Sequence, residues 1–377
     1  MKNTGIITFH CADNFGAVLQ AYALQNILRK LNIYSEIIDY KPDILILPYD
    51  YKLCWKSIKK IGILRTIKFI IIKLPYIRKI KKRKALFEEF RKKNMVISSS
   101  TYFSSDELIA SPPQYDYYIT GSDQVWNPDF LRDTGNSYFL DFAPSESKKI
   151  SYAASIALKI KPELYNMYKN NLERFNHISI REKEHLYLLH ELTNKPVKVT
   201  LDPTLLIDKT EWMNLSKRPK INDKYILIYD IQYNDELVKL ANRLSDEMNY
   251  KVISYLNYNY YKKGIKSFYY EGPCEFIGYI ENAQFVLTTS YHGAIFSIIF
   301  NKPFYVIPHN KTGSRMINLL SSLGLEDRIV NNADDVINII YDVDYKKTLE
   351  LLQKEKEESM KFLINALDID SNNYGGV

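Results

Sequence analysis

Three consecutive segments near the end of the chain restrict its fold more than any other feature. Ala283-Gln284-Phe285-Val286-Leu287 is apolar, Thr288-Thr289-Ser290-Tyr291-His292-Gly293-Ala294 is polar, and Ile295-Phe296-Ser297-Ile298-Ile299-Phe300 is apolar again. The first reads as a buried strand and the last as the opening turns of a buried helix. A polar strand-to-helix turn in such surroundings belongs at the carboxyl edge of a parallel sheet. There it offers free backbone N–H groups and a histidine, the setting in which α/β proteins bind anions. Taken alone, the window fits equally well an N-capping Ser/Thr turn whose histidine merely packs.

The N-terminal end repeats the alternation. Thr4–Phe9 is a short β run, residues 11–16 a turn, Ala17–Leu31 an Ala- and Leu-rich helix, and Tyr34–Tyr40 a second strand. That βαβ unit calls for a parallel sheet with a right-handed crossover. The turn has no GxGxxG, so a dinucleotide fingerprint is missing. Further strands are expected at 116–120, 149–153, 178–180, 197–201, 225–229, 251–255, 285–288 and 303–307. Helices are expected at 235–248 behind an Asn234 cap, at 334–340 and at 346–367.

Two such halves in 377 residues predict two facing Rossmann-like domains with a cleft between them. The expected boundaries are 1–178 for the first domain and 179–345 for the second, donor-binding one. Residues 346–377 would form a helix packing back on the first half, with a disordered tail after Ile369.

Charge is unevenly spread. Between Lys52 and Lys93 sixteen Lys/Arg face two acids, a surplus of 14 that leaves the rest of the chain at −7 within an overall +7. Apolar residues from Trp55 to Leu74 recur at three- or four-residue steps between the lysines, so this insert is expected to be helical and amphipathic. A helical hairpin packed on its own domain, a surface for anionic lipid headgroups and a nucleic-acid contact all fit that pattern. The lack of any zinc-finger or RNA-recognition pattern argues against the third.

Cys11, Cys54 and Cys274 form no CxxC pair, which points to a reducing compartment and no structural zinc. The first strand begins directly after Met1-Lys2-Asn3, and no uninterrupted apolar run reaches transmembrane length. A cytoplasmic protein, soluble or peripheral at the membrane, is expected.

Five blocks in order carry a resemblance. They are Asn14–Leu24 (NFGAVLQAYAL), Gly121–Pro128 (GSDQVWNP), Ser179–Glu184 (SIREKE), Leu201–Thr204 (LDPT) and the histidine turn with Ala294-Ile295-Phe296-Ser297. Together they resemble the polysaccharide pyruvyl transferase family over roughly residues 4 to 330, the basic insert and the C-terminal tail excepted. The resemblance implies a GT-B-like fold of two facing Rossmann halves. It also implies phosphoenolpyruvate as co-substrate, no obligatory metal and no cofactor, and a cyclic pyruvate ketal formed on a sugar of a surface polysaccharide or its lipid-linked precursor. A nucleotide-sugar-dependent glycosyltransferase using the same cleft is the alternative, because fold does not fix function.

On that resemblance Arg181, at the end of an apolar strand, would grip the donor carboxylate or phosphate bidentately. His292 would donate a hydrogen bond or a proton beside the departing phosphate. Ser290 stands where some members carry arginine, so Arg315 is expected to supply the second cation, with Ser290 and Gly293 completing the donor site. Asp123 is the expected catalytic carboxylate. Asp202 is the other carboxylate at a strand end, or else it only shapes the Asp-Pro turn. Asp13, Asn14, Asp123 and Gln124 are expected to touch the acceptor sugar. Trp126 would stack on that sugar or lie in the core.

Overall fold

The computed structural model describes residues 2–49, 76–231, 233–256, 266–309 and 312–370. They form two parallel sheets with flanking helices, consistent with a two-domain GT-B-like architecture. The first sheet holds β1 (Asn3–Ile7), β2 (Tyr34–Tyr40), β3 (Ile97–Tyr102), β4 (Tyr117–Thr120), β5 (Lys148–Ala154), β6 (His177–Ile180) and β7 (Val197–Val199), in the order β3-β2-β1-β4-β5-β6-β7. The second holds β8 (Tyr225–Tyr229), β9 (Lys251–Ser254), β10 (Lys266–Ser267), β11 (Phe285–Thr288) and β12 (Phe304–Val306), in the order β10-β9-β8-β11-β12.

Both orders reverse once, between β1 and β4 in the first sheet and between β8 and β11 in the second. At such a reversal the loops leaving adjacent strands run to opposite sides of the sheet and open a crevice beyond the carboxyl ends. The central strands are apolar along their length, as burial on both faces requires: every residue of β8 and β11 is buried.

The helix Phe15–Lys30 begins two residues before the expected start, because Asn14 Oδ1 caps it by accepting from Ala17 N at 3.2 Å. Helix Asp235–Met248 begins behind Asn234, whose side chain accepts from Glu236 N and Leu237 N. Three expectations fail. Strand β3 (ISSSTY) went unread because it lies at the sheet edge, where most of its side chains are not buried and no apolar alternation is needed. The helix expected at 334–340 shrinks to a single turn, Ala333–Asp335, capped by Asn332. Beyond it, Tyr305 Oη accepts from Ile340 N at 3.0 Å and Arg328 Nη1 donates to Ile340 O at 3.0 Å, taking the backbone groups a helix would have used. Finally, β6 and β7 extend the first sheet, whose strands therefore run past residue 178 to Val199.

The helix Tyr345–Ala366 crosses back to the first sheet. Ser359 Oγ accepts from Leu201 N at 2.9 Å, the Phe362 ring meets Tyr152, and Asp368 pairs with Lys148 at 2.7 Å. The tail after Asp370 lies outside the described residues, as do the insert's apolar positions Trp55–Leu74.

What remains of the basic insert, helix Ile77–Asn94, ties the two halves together. Phe15 stacks between Phe87 and Phe276, with ring centroids at 5.4 and 4.5 Å, so one residue of each half and one of the insert share a single aromatic stack. Above Phe15 and Phe87 lies the Arg83 guanidinium, 4.9 and 4.7 Å from the two rings and only 4% exposed. It donates to the carbonyls of Asp13 (2.6 Å) and Tyr269 and to Tyr255 Oη (3.3 Å), bridging both sheets, and among the described residues no carboxylate pairs with it. Replacing Arg83 by alanine strands those carbonyls and removes the cation–π contacts. We expect Arg83→Ala to lower the unfolding free energy by about 2–4 kcal/mol. Guanidinium-induced unfolding checks this, with Arg78→Ala, an exposed neighbour, expected to stay within about 0.5 kcal/mol of the native chain.

Candidate active site

Asp202 follows β7 and is fully buried. One carboxylate oxygen shapes the Asp-Pro turn: Oδ1 accepts from Thr204 N at 3.1 Å and from Thr204 Oγ1 at 2.7 Å. The other gathers the site. Oδ2 accepts from Ser122 Oγ at 3.0 Å, pairs with Arg181 Nη1 at 2.7 Å and stands 3.4 Å from His292 Nε2. Asp202 thus shapes its turn with one oxygen and gathers Ser122, Arg181 and His292 with the other.

Arg181 leaves the end of β6, where its N–H donates to Ala154 O at 3.2 Å. Its side chain is 1% exposed, which places it behind the site wall and not in the open. The guanidinium lies 4.4 Å over the Tyr291 ring, and among the described residues its Nε and Nη2 have no hydrogen-bond partner. Glu182, 3.6 Å from Nε, is itself held by Ser155 Oγ and Ile156 N.

His292 comes from the other half, in the first turn of helix Tyr291–Ile299 behind the cap Ser290. Its ring lies against Gly16, where a Cβ would stand 2.1 Å from Nδ1; only glycine admits the imidazole there. Arg181 and His292, from different sheets, therefore meet at one carboxylate.

Of these groups His292 borders a cavity of about 250 Å³, with Asp202 and Arg181 behind its wall. Its walls come from the loop after β1 (Ala12, Asn14), the loop after β4 (Asp123, Gln124), Ile231 after β8, and Ser290, Tyr291 and His292 after β11. Those are the loops at the two strand-order reversals; Ile44, Leu45, Pro48 and Tyr49 after β2 line the cavity as well. Arg315 completes the wall. Partly buried, it lies 5.6 Å from the Tyr291 ring, so Tyr291 touches both arginines. Among the described residues Arg315 has no ion-pair partner; its Nε donates only to Thr312 O, at 3.3 Å. Burial, and then the neighbouring Arg181, depress its proton affinity below the usual arginine value. Asp202 goes the other way. Burial would raise its carboxyl, but His292 and Arg181 outweigh that and hold it well below the usual carboxylate range.

The remaining expected residues divide. Asp123 faces the cavity from a left-handed backbone (φ 81°), with Oδ1 accepting from Gln124 N at 2.8 Å. Gln124 and Asn14 line it as well. Gly293 does not: its N–H serves the Ser290 cap at 3.4 Å, and its α-carbon packs so close to Thr288 that a Cβ would be 2.3 Å from Oγ1. Asp13 also points elsewhere, its carboxylate held by Arg91 at 2.8 Å. Trp126 is a core residue, 0% exposed, its Nε1 donating to Tyr138 O and its ring stacked on Phe139 at 5.1 Å. It cannot offer a face to a sugar. Sequence reasoning passed over Tyr291 and Ser122, although both lie inside the quoted blocks. Among the described residues no cluster of three or more His, Cys, Asp or Glu could hold a metal ion.

The depressed Asp202 carboxyl has a pH signature. Its stabilising contribution is complete above the unfolded value of about 3.9 and is lost as pH falls below it toward the folded value. Asp202→Asn leaves buried Arg181 without its counter-charge. It is expected to cost about 3–5 kcal/mol at neutral pH, with the gap to the native chain narrowing only below about pH 4. Unfolding midpoints measured across pH read both parts.

Among solved structures, the fold resembles that of UDP-GlcNAc 2-epimerase from Methanocaldococcus jannaschii, in complex with UDP-GlcNAc and UDP. The TM-score is 0.52 and the identity 13%, over 97% of this chain and 100% of that one. The Neisseria meningitidis UDP-GlcNAc 2-epimerase bound to UDP-GlcNAc gives 0.50 at 11% identity, over 98% and 100%. At such identities the likeness concerns the fold alone. No curated protein sequence matches the chain. The sequence profile of polysaccharide pyruvyl transferases matches residues 14–311, spanning all five blocks and every residue around Asp202. The chain belongs to the polysaccharide pyruvyl transferase family and is a transferase.

Proposed function

We propose that this protein transfers pyruvate from phosphoenolpyruvate to two hydroxyls of one sugar in a surface polysaccharide or its lipid-linked precursor, forming a cyclic ketal. The observation that carries the reading is that His292 and Arg315 line one small cavity, with the Arg181–Asp202 pair behind its wall and Asp202 3.4 Å from His292. A small trianionic donor needs surplus positive charge, and Arg315 provides a cation with no ion-pair partner among the described residues. The first N–H groups of helix Tyr291–Ile299 lie at the same wall and favour an anion.

The cavity would be the mouth of an interdomain cleft, with the donor phosphate toward Arg315 and the helix terminus. Transfer starts with a proton delivered to the methylene carbon, which makes C2 electrophilic. An acceptor hydroxyl bonds to C2 and loses its proton, the C2–O bond to phosphate breaks, and the second hydroxyl closes the ketal. One hydroxyl proton restores the group that protonated carbon, and the other leaves with phosphate. His292, anchored by Asp202, is the proposed proton carrier, and Asp123, across the cavity, the proposed base for the hydroxyl. Arg181, sealed behind Tyr291, acts through Asp202 and through its field.

The test uses the purified full chain, phosphoenolpyruvate and a lipid-linked saccharide extract. Release of inorganic phosphate with a mass gain of one pyruvate ketal is expected. Release of a nucleoside diphosphate from a nucleotide-sugar, with a gain of one sugar, would establish the glycosyltransferase reading instead. His292→Ala should lower turnover by about 10²–10⁴-fold. Arg315→Ala should raise the KM for phosphoenolpyruvate about tenfold or more, the loss of a charge-assisted contact of about 1.5–3 kcal/mol. If Arg315→Ala leaves both constants unchanged, the second cation lies elsewhere.

Action at the inner membrane face, with the basic insert against anionic lipid, belongs to the same proposal. Among the described residues no helix is long and apolar enough to cross a membrane. Arg83 and Arg91 are spent on internal contacts, which leaves exposed Arg78, Lys79 and Lys92 for such a surface.

A further inference from the structure

A second, larger cavity of about 640 Å³ opens beside the first, at the carboxyl ends of β1 and β2. Its size suits an organic ligand, for which about 300–1,000 Å³ is usual. The two cavities share a wall. Tyr49 lines both, and the loop after β1 divides them by alternation, Cys11 and Asp13 facing the larger and Ala12 and Asn14 the smaller.

The chemistry of the larger cavity differs from that of its neighbour. Its buried charges are paired: Asp13 with Arg91 at 2.8 Å, and Asp39 with Lys41 at 2.6 Å and with His10 Nε2 at 3.0 Å. Such pairs offer fixed donors and acceptors side by side with little net charge. That suits sugar hydroxyls, each of which donates and accepts, better than it suits a phosphate. Tyr49 and the 56%-exposed Phe103 supply apolar faces for the C–H side of a ring. Exposed Lys92 stands at the rim. Burial pushes the Cys11 thiol up to about 12, so the cavity holds no reactive thiolate.

We propose that the cavity between the Asp13–Arg91 pair, Asp39, Tyr49 and Phe103 seats the acceptor saccharide. Its hydroxyls would pass the Tyr49 wall into the His292 cavity. The word "acceptor" rests on the pyruvyl-transfer reading; the saccharide site itself does not.

The experiment compares the native full chain with the double variant Phe103→Ala/Lys92→Ala. Both side chains are exposed, so the fold does not depend on them. Saturation-transfer NMR with methyl glycosides of glucose, galactose, N-acetylmannosamine and glucuronic acid reads the saccharide site. Calorimetry with phosphoenolpyruvate reads the donor site. We expect at least one glycoside to bind the native chain and to bind the variant tenfold or more weakly, with phosphoenolpyruvate affinity equal in both. Glycosides that bind both proteins alike, or bind neither, overturn the site. A parallel loss of phosphoenolpyruvate affinity also overturns it, because the cavity would then hold the donor. Should the glycoside arms differ as expected while phosphoenolpyruvate binds neither protein, the saccharide site stands and the pyruvyl-transfer reading falls.

Discussion

A carboxylate with no access to water organises this molecule. Asp202 is buried among partners from distant parts of the chain: Arg181 after β6 as its counter-charge, His292 after β11 at 3.4 Å, and Ser122 after β4 as a neutral donor. A lone buried anion would be costly; with these partners it fixes where each may sit. Its second oxygen is occupied by Thr204, so it cannot swing toward another partner. One turn therefore fixes Arg181 behind the cavity wall and stands 3.4 Å from His292 on it.

The fold delivers those groups for a topological reason. Each sheet reverses its strand order once, and the loops at both reversals supply the cavity walls. A single Rossmann sheet would offer one such edge; two bring Asp123, His292 and Arg315 from separate loops to one cavity. The aromatic stack of Phe87, Phe15 and Phe276 under Arg83 then holds the halves in register away from the chemistry. Part of the insert's positive charge thus serves architecture.

Much of this was legible in the residues. Buried strands announce themselves by unbroken apolar runs, so β8 and β11 were read within their limits, and Asn234 gave away its helix by capping chemistry. Where a segment answers to distant partners, local pattern fails. β3 is polar because it lies at an edge, and the helix expected at 334–340 yields to Tyr305 and Arg328, neither of which is near in sequence. The site shows the same division. His292 and Arg315 could be picked out by residue type and loop position, whereas the two-sided role of Asp202 depends on what surrounds it. Trp126 illustrates the converse: a tryptophan in a polar block fits a sugar face or the core alike, and only its packing on Phe139 and its bond to Tyr138 decide for the core.

The contact between Gly16 and the His292 imidazole joins the opening turn of the first helix to a side chain of the opposite half. The imidazole has no seat of its own; half of its berth is backbone borrowed from across the molecule. If the two halves swung apart the ring would lose that support, so the proton-carrying role proposed for His292 would need both halves in place. A side chain at residue 16 would displace the ring without altering any group around Asp202.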